Sequence, residues 1–214
     1  MARIARSEDE YEKAKKRIKK FAFNIILKEG YDNLTMRKLA KRLDMSATNL
    51  YNYFKNKNEL YIICLIEGYT LLYRHQQKIL TSGTKEENFK SFLYNLIEFS
   101  QKYNNYYSIL FENYGPKSKS FVETDNAQLA KELSRTANLT FSKSKNIICE
   151  YYNIDLNSEI ATHLSTLLIT QIHGITSFYN HGLLGEIYDN PDSFVTFAID
   201  KLAKITVQDK IHLS

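Results

Sequence analysis

Residues 34–60, LTMRKLAKRLDMSATNLYNYFKNKNEL, contain two short amphipathic segments that are separated by a turn. The first segment covers 36–43, and Thr35 stands directly before it, where a side-chain oxygen can cap a helix. Leu39 and Leu43 are four residues apart and therefore share one face of that helix. The pattern predicts a short helix that is buried on one side and basic on the other.

The second segment begins after Asp44-Met45, which predicts a tight turn. Ser46 can cap a helix over 47–53, and Leu50 and Phe54 lie four residues apart on its inner side. Two short helices joined by a turn of three or four residues predict a helix-turn-helix unit. The second helix of such a unit enters the major groove of DNA.

A set of anchor residues in this stretch resembles the TetR family of bacterial transcriptional regulators. The anchors match the family pattern in one register, without an insertion or deletion. They are Leu34, Thr35, Leu39, Ala40, Ser46, Leu50, Tyr51, Tyr53, Phe54, Lys57 and Leu60. They cover about the first quarter of the chain. Asp44 departs from the pattern, since the family usually has glycine in the turn, but aspartate tolerates left-handed backbone angles better than most residues.

The resemblance implies which side chains contact double-stranded DNA. Base contacts are expected from Arg37, Ala47, Thr48, Asn49 and Tyr51, and phosphate contacts from Thr35, Tyr51, Tyr53 and Lys57. The chemistry of the side chains agrees, because arginine pairs with guanine edges and asparagine with adenine edges. For Tyr53, packing on the first helix stays open as the alternative.

Charge is unevenly distributed along the 214 residues. Residues 1–57 hold 15 Lys or Arg and 7 Asp or Glu, a net charge of +8, whereas the remainder has a net charge of −3. A basic patch on one module is typical of nucleic-acid binding. Arg3 and Arg6 belong to this basic part, in a segment that we expect to be a flexible arm.

The rest of the sequence predicts an all-α protein, because it has seven Gly and two Pro and repeated helix caps. Predicted helices cover 8–29, 36–43, 47–53, 57–80, 106–114, 125–152, 156–183 and 191–206. A further helix lies between a cap at Thr84 and a break at Tyr103, and a polar, mobile loop is predicted at 117–124. We divide them into an N-terminal three-helix DNA-binding domain, 1–56, and a C-terminal six-helix domain, 57–214. By resemblance, the second domain binds an effector and dimerises.

Aromatic residues are frequent in the C-terminal domain, and the family resemblance implies a small-molecule effector there. Bulky apolar walls with a few polar tips suit an apolar or aromatic ligand. The residues expected to bind it are Tyr69, Tyr73, Phe92, Phe99, Tyr107, Phe111, His173 and Phe178. For each of them, an ordinary place in the core is the alternative.

The helices at 156–183 and 191–206 are apolar on broad faces, and we expect them to form a dimer surface. One helix-turn-helix reads a short half-site, so specific binding needs two. The sequence therefore predicts a homodimeric, ligand-responsive repressor on a pseudo-palindromic operator. A transcriptional activator and a non-specific architectural DNA-binding protein are the alternatives.

Several other function classes lack support in the sequence. It has no glycine-rich phosphate loop, nucleophile motif or His and Cys spacing for metal, so we expect no enzyme, cofactor or metal site. Cys64 and Cys149 are expected to be buried, reduced thiols. No apolar run of membrane-spanning length and no signal-peptide segment is present, so we expect a cytoplasmic protein without membrane contact.

Overall fold

The computed structural model describes residues 7–79 and 82–204, and every regular element within these ranges is helical. The helices are α1 (Glu8–Glu29), α2 (Met36–Leu43), α3 (Ala47–Tyr51), α4 (Lys57–Gln76), α5 (Lys85–Lys102), α6 (Asn104–Tyr107), α7 (Ala127–Tyr152), α8 (Glu159–Asn180) and α9 (Pro191–Ala203). The predicted all-α class is confirmed. Arg3, Arg6 and the residues from Val207 onward lie outside the described ranges.

Side-chain caps explain where the helices begin. Ser7 Oγ accepts a hydrogen bond from the Glu10 backbone N–H at 3.3 Å, and the Glu10 carboxylate accepts one from the Ser7 N–H at 3.0 Å. Thr84 and Glu87 form the same reciprocal pair at the start of α5. Each such cap contributes about 0.5–2 kcal/mol because it satisfies an N–H group that the helix leaves without a partner.

The predicted aromatic helix at 106–114 is interrupted. It consists of α6 followed by a π-helical turn, Ser108–Glu112. Asn113 then leaves the helix with extended backbone angles, and its side-chain N–H donates to the Ile26 carbonyl oxygen at 3.0 Å. A wider turn of this kind repositions the residues that follow it.

By its contacts, the chain divides into two compact units. The first comprises the described residues up to Tyr69 together with Asn105–Ala137. The predicted domain 1–56 lies within this unit. Its fully buried residues include Ile18, Ala22, Ile25, Ile26, Leu34, Leu39, Leu50, Leu60 and Tyr61. The buried face of α1 is the floor on which α2 packs, and α2 in turn packs against α3.

Residues 105–137 contribute aromatic side chains to the first unit. The Tyr106 ring lies 4.8 Å from Phe23 of α1, and Phe121 packs at 6.4 Å, edge-on, against Tyr61 of α4. Phe121 is buried and belongs to a 3₁₀ turn, Ser118–Phe121. The prediction of a polar, mobile loop at 117–124 is therefore wrong at Phe121, because this large apolar side chain fixes the segment to the unit.

The start of α4 is held by two asparagines within the first unit. Asn56 Oδ1 accepts from the Glu59 backbone N–H at 2.9 Å, as predicted for a cap. The same oxygen accepts from the Asn126 side chain at 3.2 Å. The segment that precedes α7 therefore contacts the N-terminus of the helix that carries Lys57.

The second unit comprises Thr70–Asn104 and the described residues from Asn138 onward. In it, α5 packs against α8 and α9. Phe89 stacks on Tyr151 with 4.3 Å between ring centroids. The Tyr151 and Tyr152 hydroxyls donate to the Ala203 and Leu202 carbonyl oxygens, at 2.5 and 3.1 Å. These bonds fasten the end of α7 to the end of α9.

Asp44 has the left-handed backbone angles expected from its place in the turn, with φ 54° and ψ 46°. Its backbone N–H caps α2 by donating to the Ala40 and Lys41 carbonyl oxygens. Left-handed angles cost an ordinary L-residue about 1–2 kcal/mol, and glycine is free of that cost.

We expect Asp44→Gly to leave the free energy of unfolding unchanged or to raise it by up to about 1 kcal/mol, since relief of strain is partly offset by chain entropy. We expect Asp44→Val to lower it by about 1–2 kcal/mol. Denaturant unfolding measures both, with exposed Asp125→Val as the control at an ordinary backbone position. Equal destabilisation by Asp44→Gly and Asp44→Val would contradict this account of the turn.

Candidate nucleic-acid interface

Helix α2 is fixed to α1 by a shared carboxylate. Glu29, the last residue of α1, accepts hydrogen bonds from Lys38 and, at 2.6 Å, from Arg42. The bond from Lys38, with that from Arg42, lowers the pKa of the Glu29 carboxyl below its ordinary value of 4.5, against the opposing effect of burial. Lys38 and Arg42 of α2 therefore form ion pairs that stabilise the fold. Among the described residues, Arg37 and Lys41 have no ion-pair partner and are exposed.

The outward face of α3 is presented by burial of its inner face. Leu50 is fully buried, whereas Ala47 and Thr48 are exposed and Tyr51 is 53% exposed. Ser46 Oγ accepts the Asn49 backbone N–H at 3.1 Å, so the cap that starts the helix also positions a predicted base-reading residue. Four predicted base contacts therefore lie on one short helix whose rotation is fixed by Leu50.

Thr35 and Arg37 lie at the start of α2. The exposed Thr35 side chain accepts the Lys38 backbone N–H at 3.1 Å, which confirms the predicted cap. Its hydroxyl proton is still available to donate, which is what a phosphate oxygen requires. Arg37 is the second residue of the helix and extends from its exposed side.

Tyr53 occupies a different environment from the other predicted phosphate contacts. It is 6% exposed, and its ring stacks on Tyr11 of α1 with 4.9 Å between centroids. Lys15 lies 5.3 Å from the centroid of the Tyr11 ring. The structure therefore places Tyr53 in the packing between α1 and the residues after α3, the alternative that the sequence left open.

Lys57 begins α4 and is held over an aromatic ring. Its Nζ lies 4.1 Å from the centroid of Tyr31 and donates to the Tyr31 carbonyl oxygen at 3.5 Å. The Tyr31 hydroxyl in turn donates to Asn58 Oδ1 at 2.5 Å. A positioned ammonium group beside a helix N-terminus is suited to a phosphate, because the helix dipole also favours negative charge there. Sequence reasoning missed Tyr31, since no helical pattern includes it.

The residues predicted to bind an effector are divided between the two units. Tyr69, Tyr107 and Phe111 belong to the first unit, whereas Tyr73, Phe92, Phe99, His173 and Phe178 belong to the second. Phe92 and Phe99 are fully buried, Tyr107 is buried and packs 5.1 Å from Phe111, and Tyr69, Tyr73 and His173 are half-buried. Phe111 and Phe178 are exposed.

Residues 20–62, which contain α2, α3 and the start of α4, match the family model described as bacterial regulatory proteins, tetR family. This stretch is therefore similar to the DNA-binding domain of the TetR family. The resemblance that the anchors of 34–60 indicate is thereby confirmed. Members of the TetR family are transcriptional regulators and not enzymes.

Solved structures of bacterial regulatory proteins share this fold over nearly the whole chain. A TetR-family regulator from Bordetella parapertussis is 15% identical, with a TM-score of 0.68, and the match covers 93% of this chain and 98% of that one. A tetR-family protein from Rhodococcus RHA1 is 14% identical, with a TM-score of 0.66 and coverage of 90% and 96%. The fatty acid degradation regulator FadR from Bacillus halodurans is 12% identical, with a TM-score of 0.59 and coverage of 93% and 97%.

No match was found among curated proteins. The match over residues 20–62 and the shared fold support a DNA-binding regulator.

We also searched the part of the chain that the structure describes for membrane-spanning helices, metal sites and reactive cysteines. No helix there has both the length and the apolar character needed to cross a membrane. No group of three or more His, Cys, Asp or Glu there could hold a metal ion. Cys64 and Cys149 are free and buried, and burial raises the pKa of the Cys64 thiol to about 12, so the thiol stays protonated.

We expect Glu29→Gln to reduce the free energy of unfolding at neutral pH, because Lys38 and Arg42 lose their shared anion. Since the folded-state pKa of Glu29 is lowered, its contribution is present above the ordinary value of 4.5 and is lost as pH falls through the lowered pKa. Denaturant unfolding of wild type and variant at several pH values measures the difference. If the difference in the free energy of unfolding between wild type and Glu29→Gln were as large at acid pH as at neutral pH, the assigned role of Glu29 would be contradicted. The exposed Glu12→Gln on the same helix is the control.

Proposed function

We propose that this chain is a ligand-responsive repressor that binds a pseudo-palindromic operator in double-stranded DNA as a homodimer. The observation that carries the proposal is the outward face of α3, where Ala47, Thr48 and Tyr51 are exposed. Buried Leu50 holds this face in place. Such a protein would act in the cytoplasm, where the DNA is.

The roles of the individual side chains follow from their chemistry. Arg37 suits a guanine edge and Asn49 an adenine edge, while Ala47 and the Thr48 methyl group suit a thymine methyl. Tyr51, Thr35 and Lys57 supply donors for phosphate oxygens. Base contacts specify the sequence, and phosphate contacts fix the position of α3 in the groove.

Large apolar side chains on and after α8 and on α9 support a dimer. The exposed ones include Leu167, Phe178, Leu183, Ile187 and Phe197. Leu167 and Phe178 are eleven residues apart, about three helical turns, and therefore share one face of α8. Gly174 lies between them, and a Cβ there would meet nothing within 4 Å. Grouped exposed apolar residues indicate an interaction surface. We therefore assign Phe178 to this surface rather than to an effector site.

The proposed response to an effector uses α4. This helix begins in the first unit with Lys57 and ends in the second with Gln76. An effector that binds one setting of α4 better than another shifts the population toward it, by no more than its difference in affinity. Because two half-sites on a duplex have a fixed spacing, a change in α4 weakens both DNA contacts together.

We expect Asn49→Ala to relax the preference at one operator base pair, at a cost of about 1–3 kcal/mol. Lys57→Ala is the matched comparison, since loss of a phosphate contact weakens binding to all sequences alike and reduces the salt slope by about one. Fluorescence anisotropy on operator and random DNA at several salt concentrations measures both. Equal losses on operator and random DNA for Asn49→Ala would refute base reading and favour the architectural alternative.

We expect Phe197→Glu to dissociate the dimer, because the charge replaces a ring that is 56% exposed on α9. Loss of a central aromatic costs about 2 kcal/mol or more, equivalent to a roughly thirtyfold rise in the dimer dissociation constant. Light scattering at micromolar concentration measures it. Tyr114→Glu is the control, since Tyr114 is 99% exposed in the other unit. A monomeric wild type, or equal effects of both variants, would contradict the assigned surface.

A further inference from the structure

Three polar side chains are buried near the C-terminal end of α4, within the second unit. His75 and Gln76 are 5% and 1% exposed, and Asn95 of α5 is 5% exposed. Buried polar atoms in proteins nearly always have hydrogen-bond partners. Here Gln76 Oε1, Asn95 Oδ1 and both ring nitrogens of His75 have none from the described residues.

The orientation of Gln76 is fixed by a chain of hydrogen bonds. The Ser144 hydroxyl donates to the Thr140 carbonyl oxygen at 3.3 Å. Its oxygen is then left to accept, and the Gln76 amide N–H donates to it at 2.9 Å. A flipped amide would place two acceptors together unless the Ser144 proton were withdrawn from Thr140. The amide oxygen of Gln76 is therefore the atom that lacks a partner.

The orientation of Asn95 is fixed more simply. Its Nδ2 donates to the carbonyl oxygen of His75 at 3.2 Å, and a carbonyl oxygen only accepts. Asn95 Oδ1 must therefore be the unpartnered atom. The His75 carbonyl also accepts the Lys78 backbone N–H at 3.0 Å, so it keeps a donor without Asn95. The bond from Asn95 is thus a second bond to an oxygen that is already satisfied.

His75 adds an imidazole to the two amide oxygens. Burial lowers its pKa, against the raising effects of Glu98, whose carboxylate lies 3.8 Å from Nε2, and of the Asn95 backbone. Lys78 and Lys102 also lower the pKa. The ring is therefore neutral at neutral pH and offers one donor and one acceptor. Phe99 and Tyr103 have their ring centroids 5.8 and 5.9 Å from that of His75, so an apolar wall lies beside it.

We propose that His75, Gln76 and Asn95 form the polar end of the effector site, which takes an uncharged ligand whose hydroxyl or N–H groups donate to the two amide oxygens. The apolar body of this ligand would lie against Phe99 and Tyr103. This assignment rests on the proposed ligand-responsive function and names the chemistry of its ligand. Sequence patterns gave these three residues no role.

A carboxylate ligand fits this cluster poorly. The two amide oxygens would repel it, and the neutral imidazole offers one donor. Lys78 and Lys102, which act on His75, are exposed, and no Lys or Arg among the described residues is buried to pair with an anion. A buried carboxylate without such a partner is strongly unfavourable. The cluster therefore distinguishes hydrogen-bond donors from carboxylic acids of the same size.

Matched neutral and acidic probes test the assignment on the full-length protein. We use 1-naphthol with 1-naphthoate and 1-decanol with decanoate, and measure thermal unfolding at increasing probe concentration. We expect at least one neutral probe to raise the unfolding temperature of wild type in a saturable manner, and its acid partner to have no effect. Stabilisation by the acids, or by none of the four probes, would overturn the assignment.

Asn95→Leu separates recognition from structure. It removes an unpartnered oxygen and leaves the His75 carbonyl with its Lys78 donor, so we expect an unfolding temperature without probe equal to or above that of wild type. The apparent affinity for the neutral probe, obtained from its effect on the unfolding temperature, should fall at least tenfold. Gln76→Met should have the same effect on the probe. Ser100→Ala, at another buried polar residue of α5, should retain it. Marked destabilisation by Asn95→Leu, or an unchanged probe response, would overturn the proposal.

Operator binding is measured separately, so the two proposals can fail independently. A neutral probe that binds through Asn95 and leaves operator affinity unchanged would support the cluster and contradict the ligand-responsive function. Operator release by an acidic probe, retained in Asn95→Leu, would support the function and contradict the cluster.

Discussion

Burial of Leu50 and Phe54 beneath α3 is the interaction on which the proposed reading of DNA depends. Both are almost fully buried, and together they fix the rotation of a five-residue helix that could not form alone. Truncating Phe54 to alanine would cost about 3–5 kcal/mol, a large part of a typical total stability of about 5–15 kcal/mol. The burial of Leu50 and Phe54 therefore determines which residues of α3 face outward.

Electrostatics serves two separate purposes in the first unit. Glu29 holds Lys38 and Arg42 against α1, and these cations support the fold. Arg37 and Lys41 extend from the same helix without an ion-pair partner among the described residues and keep their charge for a ligand. Lys57 belongs to both groups, since Tyr31 positions it at the N-terminus of α4. The net charge of the N-terminal part therefore overstates the number of cations available to phosphates.

Local signals in the sequence predicted most of the helices and several of their caps, but not the interruption of the helix at 106–114. Ser7, Thr35, Ser46, Thr84 and Asn190 cap the helices that follow them, and Asp44 has left-handed angles. Contacts between segments that are distant in the sequence could not be predicted from local patterns. Phe121 was assigned to a polar loop because six of its seven neighbours in 117–124 are polar, yet it packs on Tyr61. No sequence pattern indicates the cluster of His75, Gln76 and Asn95. It is recognised only in the structure, where buried polar atoms of these residues have no hydrogen-bond partner among the described residues.

Selection of genomic fragments by the purified full-length protein, followed by sequencing, tests the central claim most directly. A dimer that presents two copies of α3 should enrich one pseudo-palindromic site whose half-sites lie about one helical turn apart, or a multiple of it. Uniform recovery of fragments regardless of sequence, with binding that depends steeply on salt, would contradict a specific regulator.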